Sequence, residues 1–394
     1  MAKKVGFIWS PDFTKYKLAD DHPLNPIRLV LTYELMKAVN LFESGSIDIL
    51  EPTPATQEQI EWVHRKDYVE LVKELSANNP EYARMARYDY GLGPGDNPIF
   101  PFMYESSALV AGASINAADS VMSGKYPCAF NISGGLHHAM PGKASGFCVF
   151  NDIAIAIKYL LKNQLSARIM YIDIDAHHGD GVQEIFYDNK QVLTLSFHQD
   201  GRTLWPGTGF VTENGKGDAE GYAINVPLPP RAYDDVVHKA VEYVSSEVMK
   251  AFNPDYVITQ LGADMFYMDP LTQMGLSTTG MELIYKSLKK SIEKYGNNHW
   301  IALGGGGYYL TAVARAWTLA LGVMSETEVP RNLPPKWREM AAKRVDEQIP
   351  YTFRDANPQV EFDMVRDPFY AMQFEDQIDP VLDTILKTIV PKIK

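Results

Sequence analysis

The sequence predicts an α/β fold built on a parallel sheet, and three observations carry that prediction. Short apolar runs alternate with amphipathic stretches along most of the chain, the pattern of βαβ units. Connections of that kind are right-handed and lay the strands parallel. Histidine and aspartate also cluster directly behind several of the apolar runs, where open α/β sheets gather their sites.

Lys4–Trp9 reads as the first strand. Asn25 and Pro26 then offer an N-cap and an N1 proline for a helix reaching about Val39. Met103–Ser123 reads as a helix rich in Ala, Ser and Gly, closed by Gly124, whose small residues predict close packing against a neighbour. Five β-branched or aromatic strand candidates follow, at Cys128–Ile132, Ala167–Ile174, Val192–Phe197, Tyr256–Gln260 and Trp300–Leu303. Helical patterns lie among them at Asp152–Lys162, Asp234–Phe252, Gly280–Lys294 and Leu310–Leu321. No internal repeat, low-complexity tract or interdomain linker is legible. The stretch Asn332–Asp367 is rich in proline and charge, and reads as a peripheral C-terminal segment, not a second domain.

Composition narrows the function classes. The chain has 394 residues, 46% of them hydrophobic and 22% charged, which is ample for a large core. Its net charge of −12 comes from 37 Lys and Arg against 49 Asp and Glu. That balance argues against a nucleic-acid partner, which calls for a basic stripe. It suits a solvated acidic surface, or the steering of cationic substrates. The two cysteines, Cys128 and Cys148, make neither a disulfide framework nor a zinc knuckle. The start, MAKKVGFIWSPDF, has too short an apolar run for a signal peptide. Asn297–Ala314 carries four glycines in a row and does not suit a membrane helix. A cytoplasmic protein with no membrane partner is expected.

Five of the nine histidines fall between positions 137 and 198, and four of them form the pairs His137-His138 and His177-His178. His22, His64, His238 and His299 stand alone and read as surface or capping residues. The sharpest segment is YIDIDAHHGDG, residues 171–181, where an apolar run delivers Asp173, Asp175, His177, His178 and Asp180. Asp173, Asp175 and His177 alternate and project to one side of an extended chain. Carboxylate and imidazole donors together suit a divalent metal such as Zn²⁺, which in catalytic sites takes three protein ligands. Asp264, on the Gly-Ala turn behind Tyr256–Gln260, is the obvious further donor. The plainer alternative is a buried hydrogen-bonded network, and uncompensated acids at a strand end make that costly. The pair in SGGLHH can divide labour between general base and electrostatic partner, with Asp173 and Asp180 as candidate orienters. The run Gly304–Gly307 before Tyr308 can present that hydroxyl to a developing oxyanion. It is neither a Walker loop nor a dinucleotide fingerprint.

The segments SGGLHHAMPGKASGFCVFND, YIDIDAHHGDGVQEIFY, LSFHQDGRTLWPGTG, LGADMFYMDPL and GGGGYY, in this order, resemble the histone deacetylase superfamily. Weaker similarity runs from HPLNPIRL near residue 22 to about residue 321, and HQDGRTLWPGTG points towards the bacterial acetoin-utilization deacetylases. The resemblance implies an arginase-like, three-layer αβα sandwich on an eight-stranded parallel sheet. It implies a catalytic domain over residues 1–325, with 326–394 as an extension packed on it. It also implies a zinc-dependent amide hydrolase acting on acetyl-lysine. By position, Asp175, His177 and Asp264 become the zinc ligands, although Fe²⁺ accepts the same donor set. His138 becomes the general base with His137 beside it, buttressed by Asp180 and Asp173 respectively, and Tyr308 the oxyanion donor. Gly146 and Phe147 line one wall of the acyl-lysine channel. Trp205 stands opposite, where relatives usually have Phe. Asp96 matches a rim aspartate that holds substrate backbone, with one residue inserted before it. A structural K⁺ or Na⁺ falls to Asp173, Asp175, His177, Ser196 and Phe197, and a second to Phe186, Asn189, Val192 and Tyr222.

The expected reaction is hydrolysis of the acetamide on lysine side chains of proteins, with acetyl-CoA synthetase the first candidate partner. The main alternative is a small acetyl-amine substrate such as an acetylpolyamine. The short stretch between Arg84 and Ile99 weighs against it, because small-amine enzymes of the superfamily carry a constricting insertion there. An arginase-type dimanganese enzyme needs more aspartate ligands than the chain offers. A metal-bound scaffold without turnover is the non-enzyme alternative, and it is at odds with competent residues at every catalytic position.

Overall fold

The computed structural model describes residues 4–76, 87–367 and 369–393. Eight strands form one sheet: β1 (Val5–Ile8), β2 (Ile47–Leu50), β3 (Cys128–Asn131), β4 (Ile169–Asp173), β5 (Val192–Gln199), β6 (Ala223–Leu228), β7 (Tyr256–Gln260) and β8 (Trp300–Leu303). Their order is β2-β1-β3-β8-β7-β4-β5-β6, and every pairing is parallel. The central strands are buried along their whole length, so they read in sequence as continuous apolar runs and not as alternations.

Twelve α-helices lie among the described residues: α1 (Ile27–Ala38), α2 (Gln57–Glu61), α3 (Lys66–Ser76), α4 (Met103–Met122), α5 (Asp152–Asn163), α6 (Asp180–Phe186), α7 (Asp234–Phe252), α8 (Thr278–Tyr295), α9 (Leu310–Ser325), α10 (Pro335–Ala342), α11 (Pro358–Arg366) and α12 (Met372–Thr384). Packing partners sort them into layers: α1, α9, α8 and α7 pack in sequence with one another, while α3 and α5 pack on α4 and α6 on α5. With the sheet between them they make the sandwich. The small residues of α4 do what their size predicts: Gly112 lies against the backbone of Thr53–Ala55, where a Cβ would sit 1.9 Å from a carbonyl oxygen.

Two strands escape the sequence reading, and both are edges. Ile47–Leu50 is short and half exposed, so it lacks the apolar run that marks a buried strand. Ala223–Leu228 contains Pro227, which a sheet tolerates at its edge, where a missing N–H costs no ladder bond. The helix after Asn25-Pro26 starts one residue later than expected, at Ile27, and the Asn25 carboxamide still accepts the Ile27 N–H at 3.0 Å. Behind α9 the chain runs back over the sandwich. Trp337 of α10 is buried and donates to Leu31 O at 2.9 Å, while Asp355 pairs with the buried Arg315 at 2.7 Å. The stretch read as peripheral is therefore pinned to α1, α8 and α9. No helix among the described residues is long and apolar enough to cross a membrane.

Candidate active site

Five neighbouring strands, β3, β8, β7, β4 and β5, deliver the chemistry at their carboxyl ends. Asp175 and His177 follow β4 and Asp264 follows β7. Among the described residues these three form the group able to hold a metal, each offering a ligand atom within 4.8 Å of the others, and all three are buried. His177 Nδ1 lies 2.9 Å from Asp264 Oδ2 and 3.2 Å from Asp175 Oδ1. Asp175 Oδ2 accepts from Gln260 Nε2 at 2.6 Å and from the Gly306 N–H at 2.8 Å. Asp264 Oδ1 accepts from the Ala176 N–H at 2.8 Å. Gly306 is glycine for a physical reason: a Cβ there would sit 2.4 Å from Asp264 Oδ2 and 2.8 Å from Asp175 Oδ2. Asp173, which ends β4, lies against His137, the histidine it was expected to orient.

The donor set fits a divalent cation. Burial and the Asp175 carboxylate both push Asp264 well above the ordinary carboxylate range. Burial also acts to raise Asp175, but His137 and His177 outweigh it and hold that carboxyl well below its usual value. Burial would push His177 down, and the two carboxylates hold it up at about 10. A buried carboxyl pushed towards its protonated form by a second carboxylate marks a deficit of positive charge, which a divalent ion meets.

Beside this group the histidine pair sits on a turn that Asp152 holds. Asp152 accepts from the N–H groups of Gly135 (3.1 Å) and Leu136 (2.7 Å). His137 Nδ1 lies 2.7 Å from Asp173 Oδ2, which also accepts from the Tyr171 hydroxyl at 2.6 Å. His138 Nδ1 lies 2.6 Å from Asp180 Oδ1. The two rings are 3.9 Å apart and titrate in opposite directions. Burial acts to lower both. For His137 the Asp173 and Asp175 carboxylates win and raise it to about 9. For His138 the charge on His137 adds to burial and lowers it to about 4, against Asp180. The pair is one charged imidazole beside one neutral one, the separation of roles a general base needs.

Aromatic rings surround this point. Gly146 and Phe147 both have left-handed backbone, and a Cβ on Gly146 would sit 2.4 Å from the His138 ring and 2.7 Å from that of Trp205. Trp205 packs edge-on to His138 at 4.6 Å and is 46% exposed. Phe147 meets the Tyr308 ring at 5.8 Å, and Tyr308 lies 6.5 Å from the His177 ring. Burial, then the Asp264 and Asp175 charges, raises the Tyr308 phenol well above its ordinary value, so it stays a protonated donor. Asp96 is exposed on a loop beside these rings, where its carbonyl lies 3.2 Å from His22 Nε2. The stretch from Arg84 begins with residues 84–86, which lie outside the described ones.

The residues matched to monovalent cations fall in two places. Asp173 and Ser196 are register partners on β4 and β5, with Phe197 next and Asp175 and His177 just beyond β4. Phe186, Asn189 and Val192 form the turn between α6 and β5, and the Tyr222 carbonyl accepts from the Thr194 N–H.

His22 and His64 are not surface residues. Both are buried: His22 packs edge-on to Phe147 at 4.5 Å, and His64 bridges Met140 O and the Asn151 N–H. Sequence reasoning also missed Arg28, Asp152, Gln260 and Asp269. Arg28 donates to Gly305 O at 2.6 Å from beneath the glycine loop. Gln260 was legible as a polar residue ending a mostly apolar strand, and Asp152 as an acid opening a buried helix.

A single parallel sandwich with buried Asp/His donors at its strand ends defines an α/β protein of the arginase and deacetylase type, with a candidate metal centre. The histone deacetylase domain matches residues 22–324. The chain belongs to the histone deacetylase family and is a deacetylase of it. It is 42% identical over 350 residues to the acetoin utilization protein AcuC of Bacillus subtilis (strain 168), covering 89% of each chain. It is 36% identical over 356 residues to AcuC of Staphylococcus aureus (strain MSSA476), covering 90% of each. Among solved structures it resembles an HDAC homologue from Aquifex aeolicus, with a TM-score of 0.80, 34% identity, and coverage of 92% of this chain and 99% of that one. An HDAC homologue complexed with SAHA matches equally well, with the same TM-score, identity and coverage.

Proposed function

We propose that this deacetylase removes acetyl groups from lysine side chains of proteins, with Zn²⁺ held by Asp175, His177 and Asp264. The observation that carries the reading is the convergence of that group, the His138–Asp180 pair and the Tyr308 ring among the rings of Phe147 and Trp205. Bound there, the ion supplies Lewis acidity and lowers the pKa of water. Ferrous iron suits the same donors. His138, neutral over the physiological range, takes the proton of the attacking water. Asp180 fixes the ring so that Nε2 is the free nitrogen. Charged His137 stabilises the negative charge that develops nearby. The Tyr308 hydroxyl donates to the oxyanion, and His138 returns its proton to the lysine amine as the C–N bond breaks, leaving acetate. The Gly146–Phe147 and Trp205 walls take the acyl-lysine chain, and exposed Asp96 takes substrate backbone at the rim. A K⁺ or Na⁺ beside Asp173, Ser196 and Phe197, and another at Phe186, Asn189, Val192 and Tyr222, completes the proposed site.

In view of the AcuC relatives' names, an acetylated metabolic enzyme such as acetyl-CoA synthetase, met in the cytoplasm, is the first protein substrate to test. The experiment is acetate release from an acetyl-lysine peptide and from an acetylpolyamine, after chelation and after re-addition of Zn²⁺. Metal-restored release from the peptide is expected. Preference for the polyamine would change the substrate class, and binding of the peptide without acetate release would make the protein a scaffold.

A further inference from the structure

We infer that Asp269, from the loop between β7 and α8, and Glu347, from the chain behind α9, form a two-carboxylate clamp on the backbone that carries Tyr308. Both are positioning residues for the oxyanion donor, an inference that rests on the lysine-deacetylase reading above.

Tyr308 needs such a clamp. It follows four glycines, two of them at φ +140 (Gly305) and +133 (Gly307), a backbone that gains no rigidity from its own side chains. It precedes α9, whose N-cap, Tyr309, makes no side-chain cap bond, and whose first turn holds no acid. The first N–H groups of that helix have no partner within it. The structure supplies partners from two distant segments. Asp269 Oδ2 accepts the Tyr308 N–H at 2.8 Å, while its other oxygen accepts the Leu271 N–H at 3.0 Å. Glu347 Oε1 accepts the Leu310 N–H at 2.6 Å, and Oε2 accepts the Thr311 N–H at 2.9 Å and the Thr311 hydroxyl at 2.8 Å. A carboxylate at this end of a helix also opposes the positive end of its dipole.

Glu347 is itself tethered. The Arg338 guanidinium donates to Pro350 O at 2.9 Å, and Leu333 pairs with Tyr351 through its N–H. Trp337 binds Leu31 O on α1, the helix whose Arg28 holds Gly305 O. The glycine loop is thus held at Gly305 from one side and just beyond Tyr308 from the other. A phenol at the end of a rigid ring magnifies any tilt of its backbone, so a loosened clamp withdraws the hydroxyl from the oxyanion without moving the metal ligands.

The test uses the full-length zinc-loaded enzyme, its Glu347→Ala, Glu347→Gln and Tyr308→Phe variants, and the Tyr308→Phe/Glu347→Ala double variant. Glu347→Ala is expected to lower kcat on an acetyl-lysine peptide roughly tenfold, short of the hundredfold or so that a 1 Å misplacement can cost, with KM and bound zinc unchanged. Glu347→Gln keeps one acceptor oxygen and recovers much of that loss. The double variant is expected to be no slower than Tyr308→Phe, because a positioning residue has nothing left to position. Hydrogen exchange of the Tyr308–Thr311 amides is expected to quicken in Glu347→Ala. Additive losses in the double variant, or unchanged exchange, would overturn the clamp. If Glu347→Ala does not fold, Asp269→Asn enters the same cycle. A wild-type enzyme silent on the peptide would sink the lysine-deacetylase reading, while the exchange measurement would still decide the clamp.

Discussion

At the scale of single residues, the site depends on histidines held in different charge states by their surroundings. His64 shows this away from the metal group. It is buried, and its ring donates from Nδ1 to Met140 O at 3.0 Å and accepts at Nε2 from the Asn151 N–H at 2.9 Å. Asn151 in turn caps α5 and donates to the carbonyls of His137 and Ala139. Burial pushes His64 down to about 4. In an unfolded chain it titrates near 6.5, so between these values the unfolded state binds the additional proton. Its contribution to stability is therefore complete above about pH 6.5 and is lost as pH falls towards 4, at ~1 kcal/mol for each pH unit. Gln in its place keeps a donor and an acceptor but cannot titrate. Urea unfolding of wild type and His64→Gln at about pH 7 and about pH 5 should show the variant losing less stability on acidification. Equal losses would mean that His64 takes up its proton as readily in the fold as in the unfolded chain.

At the scale of elements, the loop that carries Trp205 is shaped by a polar clasp. Glu213 accepts the Gly209 and Phe210 N–H groups at 3.0 and 3.2 Å, His198 Nε2 lies 2.9 Å from Gly209 O, and His178 Nδ1 lies 2.8 Å from Thr208 Oγ1. The clasp sets the indole across from Gly146, where it packs edge-on to His138. Replacing Trp205 by Ala should widen that point and raise the butyryl-to-acetyl ratio of kcat/KM about tenfold, the discrimination typical of a methylene or two in an apolar pocket. An unchanged ratio would place the acyl group elsewhere. The same scale explains what was legible in the sequence. Six of the eight strands stand out, because a strand buried on both faces is a run of apolar residues; Ile47–Leu50 and Ala223–Leu228, at the edges, are not such runs. Asp173, Asp175, His177, His178 and Asp180 were conspicuous because one strand end supplies them all. Arg28, His64, Asp269 and Glu347 were not, since each acts on backbone far away in the chain, and a lone polar residue carries no mark of the contact it will make.

At the scale of the whole molecule, the candidate ligands join distant parts of the chain. Asp175 and His177 leave β4, Asp264 leaves β7, and Gly306, after β8, donates to Asp175. These strands are adjacent in the middle of the sheet, so the fold itself brings the two buried carboxylates together. An unfolded chain holds these donors far apart and has no site to offer. A divalent ion that binds only the folded state stabilises it by about 4 kcal/mol when present at about a thousand times its Kd. Chelation should therefore lower the melting temperature by several degrees, and Zn²⁺ should restore it. In Asp264→Asn one charged ligand is gone, and most of the metal-dependent shift should go with it. Calorimetry of both proteins, with bound metal assayed in each, checks the expectation. A melting temperature indifferent to chelation, in protein shown to lose its metal, would mean that the ion binds the folded and unfolded chains alike, or binds the fold only weakly, and would overturn the buried three-ligand site.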